Sequence, residues 1–204
     1  MFTTPRLVAI ALCAALNFVA GSAVYLIKLP IYLDSIGVFL CALLLAADRR
    51  VAFVCAITAA LISTFVTGLL VNPFLPWFVG TDLAIALMAA FVVTRGADVF
   101  RARPMRLIEF VGLILLFGIL TGVVAAIVSA PVVAYVFGGV TGSGSAFLVG
   151  MFLKTGQQLW NATLASGLIA DPIDKTIQVL IGALLFRATP SDFIALVRGK
   201  PAGS

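Results

Sequence analysis

The chain contains no histidine, and so lacks the commonest general base and the commonest metal ligand. Charge is scarce too. Charged residues fill 10% of the 204 positions, against about 25% in globular domains, which is too few to cover a soluble surface. The longest polar run is the arginine-rich stretch 95–106, and no stretch reads as a detached soluble domain. The three cysteines, Cys13, Cys41 and Cys55, lie in apolar segments without CxxC spacing. They read as small buried hydrophobes, which excludes a disulfide framework or a thiolate metal site. No GxxxxGK[ST] motif occurs, so the chain carries no P-loop of its own for ATP hydrolysis. The glycine-rich stretch 138–144 lacks that lysine, follows no strand, and is read as a flexible loop. Net charge is +5, but the basic residues flank apolar segments and form no stripe with interleaved aromatics. Nucleic acid is therefore excluded as a partner, and the lipid bilayer takes its place. Neither a catalytic residue nor a cofactor or metal is expected, and the chain is not read as an enzyme.

What is abundant is apolar: 63% of residues are hydrophobic. Six stretches predict transmembrane helices, at about 7–27, 34–47, 51–71, 77–94, 107–137 and 172–188. Residues 138–171 are expected to form an external connection with an amphipathic or half-inserted helix. Residues 1–204 make a single transmembrane domain in this reading, an all-α six-helix bundle. The first stretch would extend about 31 Å, enough to cross the hydrocarbon core. It is therefore read as a retained helix and not a signal peptide, despite the small residues Ala20, Gly21, Ser22 and Ala23. One side of the bundle collects Arg6, Arg49, Arg50, Arg95, Arg101, Arg103, Arg106, Arg187, Arg198 and Lys200, ten of the 13 basic residues. The positive-inside rule then places both termini in the cytoplasm and leaves Lys28, Lys154 and Lys175 outside.

Several polar residues stand out in the outer half. Thr81 and Asp82 lie about one turn into the fourth helix, where an unpaired carboxylate is costly and marks a functional site. The alternative is that Asp82 pairs with Asn17 or Lys154 and only holds helices together. Lys154, Gln157, Trp160 and Asn161 follow a helical spacing that puts them on one face, where ammonium, amides and indole suit a flat heteroaromatic ligand. A solvated amphipathic face is the competing reading. Phe74, Trp77 and Tyr135 are candidates to close over a pocket, or are interfacial aromatics. Tyr32 and Asp34 sit where the second helix begins, and Asp34 with Ser35 suits an N-cap. Asp171-Pro172-Ile173-Asp174-Lys175 reads as the start of the last helix. On the first helix, Ala11 and Ala15 stand four apart, a spacing that lets another helix approach closely.

Together these features resemble the substrate-binding S components of energy-coupling factor (ECF) vitamin transporters. The likeness rests on a chain near 200 residues, six apolar helices, the Ala11/Ala15 pair, and two local sequences. These are Ile31-Tyr32-Leu33-Asp34-Ser35-Ile36-Gly37 at the second helix and Asp171-Pro172-Ile173-Asp174-Lys175 before the last. The resemblance implies a multi-pass protein of a bacterial or archaeal cytoplasmic membrane that captures a vitamin or related small heterocyclic micronutrient at its outer face. Asp82, Thr81, Trp77, Tyr135, Lys154, Gln157, Trp160, Asn161 and Asp34 are the expected substrate contacts. Ala11 and Ala15 would dock on a transmembrane coupling (T) subunit driven by two cytoplasmic ATPase subunits, and the protein would topple in the bilayer to release its cargo. The polar inventory suits an uncharged or zwitterionic heteroaromatic ligand. Two other classes compete: a stand-alone secondary transporter or membrane assembly protein, and a lipid-active intramembrane enzyme. The inverted repeat and the clustered acids that would mark a secondary transporter or an enzyme are not seen in the sequence.

Overall fold

The computed structural model describes residues 2–142 and 144–199, so Lys200 falls outside it. Among the described residues the fold is all-helical, without strands. Its α-helices are α1 (Thr4–Leu26), α2 (Ile36–Leu44), α3 (Arg49–Leu70), α4 (Val79–Phe91), α5 (Ala97–Arg101), α6 (Leu107–Pro131), α7 (Ser145–Lys154), α8 (Leu159–Ala188) and α9 (Ser191–Val197). Tight turns of 3-10 type flank α4, so that Leu75–Arg101 runs as one apolar helical stretch, and a wide π-type turn, Val132–Val136, prolongs α6.

This is a multi-pass membrane protein. Thr4–Leu26, Arg49–Leu70, Leu75–Arg101 and Leu107–Val136 are each long and apolar enough to cross a bilayer, and α8 with α9, bent by 103°, makes a fifth candidate. Their outer faces are bare hydrocarbon: Leu69 is 86% and Ile108 90% exposed. A water-soluble monomer rarely leaves such faces open, and lipid would cover them.

Three boundaries depart from the sequence reading. The second helix, expected over 34–47, has only nine residues and is about 14 Å long, too short to span alone. Its flanks are consumed by an extended approach at 29–35 and a turn at 45–47. Asp34 is not its cap. Ser35 holds the N-cap position, and no side chain caps the helix. The last helix does not start at Pro172; it runs unbroken from Leu159, so residues 159–171 leave the expected external connection. Asp-Pro imitates a helix start because proline is at ease in a first turn. Pro172 is tolerated in mid-helix because its fixed φ is itself helical and only one backbone hydrogen bond is forgone, a loss that packed neighbours absorb.

Close backbone approach organises the interior. The most extensive helix contact is α6 on α8. Gly118 and Gly122, four residues apart on α6, lie against the backbone of Thr176 and Pro172, where any side chain on the glycines would collide. Gly37 meets the Cys13 carbonyl of α1 in the same way, and its N–H donates to Asn17 Oδ1 at 2.6 Å. With almost every residue of α2 buried, that helix is the axis around which α1, α3, α4 and α8 pack.

The arginine-rich end is closed by guanidinium groups on helix-terminal carbonyls. Arg101 donates to Phe186 O (3.1 Å) and Thr189 O (3.0 Å). Arg187 donates to Phe100 O (3.2 Å) and Ala102 O (2.7 Å). Arg198 reaches Leu44 O (2.9 Å) and Leu43 O (3.3 Å). Arg6 Nε donates to Val197 O at 3.0 Å, which brings the first and last helices to this same end.

Candidate functional site

The far ends of α1, α3 and α6, the start of α4 and the middle of α8 surround a cavity of about 90 Å³ open to the centres of water-sized molecules. At roughly 10–15 Å³ of such volume per water, it holds several waters or the body of a small ring compound. Apolar residues form much of its wall, including Phe74, Phe78, Ile85 and Val133. The polar lining groups include Asn17, Asp34, Thr64, Thr81, Asp82, Asp171 and Lys175. A mostly apolar concavity with a few convergent polar groups is the usual form of a small-molecule site.

The floor is a polar lattice built on one face of α8. Asp171, Asp174, Lys175 and Gln178 stand at i, i+3, i+4 and i+7, so one stripe of this helix carries them all. Asp174 Oδ1 accepts from the N–H groups of Tyr32 (2.9 Å) and Leu33 (3.0 Å). Its Oδ2 accepts from Lys175 Nζ (2.8 Å) and Gln178 Nε2 (2.7 Å). Gln178 Oε1 in turn accepts from Ser35 N at 2.7 Å. Lys175 Nζ also reaches Asp34 Oδ1 at 3.3 Å, which Ser35 Oγ approaches at 3.0 Å. Leu33 has φ +52, a left-handed conformation costly for leucine, and the paired grip of Asp174 on successive N–H groups holds it there. Tyr32 donates its hydroxyl to Ser145 Oγ at 2.8 Å.

On the opposite wall, Thr64 Oγ1 donates to Asp82 Oδ2 at 2.7 Å. The partner of Asp82 is thus a hydroxyl of α3, neither Asn17 nor Lys154. Asn17 is spent on Gly37 and on Ser63 Oγ (3.4 Å). Thr81 Oγ1 is buried and has no hydrogen-bond partner among the described residues.

Of the expected contacts, the fold brings Asp34, Thr81 and Asp82 together at the cavity, with Phe74 beside them. The others lie elsewhere. Trp77 is 61% exposed and meets Phe137 edge-on, 6.3 Å between centroids. Tyr135 is 77% exposed and stacks on Trp160 at 5.8 Å. Lys154, Gln157 and Asn161 are exposed. Nor do Lys154, Gln157, Trp160 and Asn161 share a helical face: α7 ends at Lys154, α8 begins at Leu159, and Gly156 turns the chain between them at φ +84. Ala11 and Ala15 are both exposed on α1.

Sequence reasoning had assigned Asp171 and Lys175 to a helix start and had given Asn17, Tyr25 and Thr64 no place in a pocket. The signal for α8 was its i, i+3, i+4, i+7 polar stripe, which a helix drawn back to Leu159 displays in full. For Asn17 it was a lone amide in an otherwise apolar span. No family model, no curated protein and no solved structure matches the chain.

Proposed function

We propose that this chain is the substrate-binding membrane subunit of an importer of ECF type, taking a small heterocyclic micronutrient into the cavity between α1, α3, α4, α6 and α8. The observation that carries this reading is the cavity itself. It is a mostly apolar hollow with a few convergent polar groups, at the end of the bundle remote from the arginine-rich end, and carboxylates within an apolar bundle mark a functional site. Energy comes from partners in this reading, a coupling subunit and two ATPases, since the sequence offers no nucleotide motif. The exposed small side chains of Ala11 and Ala15 give α1 a face for the coupling subunit. The chain traverses the membrane six times, once through the short α2 with its extended approach, and both termini are cytoplasmic. The Arg6–Val197 contact at the arginine-rich end supports that orientation.

Native mass spectrometry of the tagged chain extracted from its own host membranes tests the reading. A vitamin-sized adduct together with a coupling protein and ATPases is expected; a bare protein carrying only lipid overturns it. Replacing Ala11 and Ala15 together by leucine is expected to abolish uptake while leaving ligand binding intact. Loss of binding in that variant would make α1 a structural element and not a docking face.

A further inference from the structure

The charges around the cavity do not balance. Lys175 supplies the single ammonium of the lining, and it is already shared between Asp174 at 2.8 Å and Asp34 at 3.3 Å. The other cation near the mouth, Lys28, is committed to Gly142 O at 2.7 Å and to the face of Tyr25, 4.1 Å from its centroid. That leaves Asp82 and Asp171. Asp82 receives one hydroxyl, from Thr64. Asp171 is only 4% exposed, lines the cavity, and accepts no hydrogen bond among the described residues. Beside Asp82, the Thr81 hydroxyl is buried and unpaired. A largely buried carboxylate ordinarily gathers several donors or a cation, and here the space that both acids line is the cavity.

We propose that the cavity takes a ligand presenting a positively charged nitrogen, such as an alkylated ring nitrogen, an amidinium or an ammonium, to Asp171 and Asp82. This rests on reading the cavity as a substrate site and adds the charge of the substrate. An anionic ligand would add a like charge beside the acids, and a neutral one would bring neither of them a charged donor. Among the described residues no three His, Cys, Asp or Glu side chains gather closely enough to hold a metal ion, so a bare divalent cation is not the fit. The wall points to an organic body instead. Phe74 and Phe78 present aromatic surface on the same cavity, and aromatic faces favour flat cations.

Two readouts on the full chain in lipid nanodiscs decide the matter. The first is the formal charge of whatever small molecule is retained through native extraction. The second is the relative affinity of three probes built on one ring: 1-methylnicotinamide (cation), nicotinamide (neutral) and nicotinate (anion). The cation is expected to bind about tenfold more tightly than either of the others, as one close charge pair in a poorly solvated site gives. In the Asp82→Asn, Asp171→Asn double variant that preference is expected to vanish, with thermal unfolding checking that the variant is folded. A retained neutral or anionic molecule, or equal affinity for the three probes, overturns the charge assignment and leaves the binding-subunit reading standing. No retained molecule and no binding of any probe overturns both.

Discussion

The two ends of the bundle treat charge in opposite ways. At the arginine-rich end four guanidinium groups find main-chain carbonyls: Arg101 and Arg187 cross-link the end of α8 to α5, Arg198 caps the end of α2, and Arg6 reaches α9. Helix C-termini are short of donors and partially negative, so cations there satisfy a need that the fold creates. At the cavity end side chains meet side chains as well as main chain, and in the lining acids outnumber bases: Asp34, Asp82 and Asp171, with Asp174 behind them, stand around Lys175. At one end these four guanidinium groups are matched as folded. The other is complete only in part, within the Asp174–Lys175–Gln178 lattice, and open at Asp82 and Asp171.

Mutation separates these roles. Lys175→Met should be the most damaging change, since it strands buried Asp174 beside a second carboxylate; a loss of about 3–5 kcal/mol follows from breaking one partner of a buried pair. Collapse of monodisperse protein on size exclusion, with a lowered melting temperature, would report it. A Lys175→Met, Asp174→Asn double variant should recover part of that loss, and no recovery would mean that Lys175 acts by packing alone. Arg101→Ala should cost about 1.5–3 kcal/mol, because two carbonyls lose a charged donor. Thermal unfolding checks this, with ligand affinity expected to stay unchanged. Asp171→Asn goes the other way: removing an unmatched buried carboxylate should raise stability by about 1 kcal/mol while weakening ligand binding. A fall in melting temperature would show that Asp171 is matched within the fold. The smallest effect should come from Trp160→Ala, about 0.5 kcal/mol for an exposed aromatic stack, with no change in ligand affinity. A large loss of affinity there would move the site toward α7.

How far the sequence discloses this arrangement varies by region. The membrane class is plain from the long apolar stretches, because lipid demands their length and hydropathy directly. Thr81 and Asp82 are conspicuous because polar groups inside a span have few structural excuses. The third helix is expected from about 51 and begins at Arg49, because the Asp48 carboxylate caps it by accepting from Arg50 N and Val51 N, at 2.9 and 3.2 Å. The α8 region misleads because local and tertiary signals conflict. Asp-Pro favours a helix start on local grounds, yet α8 continues through it, packed at Pro172 and Thr176 against Gly118 and Gly122 of α6, far away in the chain. Trp77 and Tyr135 mislead for another reason: aromatic residues suit a pocket and a lipid headgroup zone equally well, and only their measured exposure separates the two.

The grip of Asp174 on Tyr32 and Leu33 also sets an order of events. These groups lie 142 and 141 residues apart in the chain. A ribosome delivers the 27–35 connection early and α8 almost last. Until α8 arrives, two main-chain N–H groups have no carboxylate, and nothing holds Leu33 in its left-handed turn. An early-made wall of the cavity is therefore finished by a late-made helix, and a nascent chain stopped short of residue 174 lacks the cavity's floor.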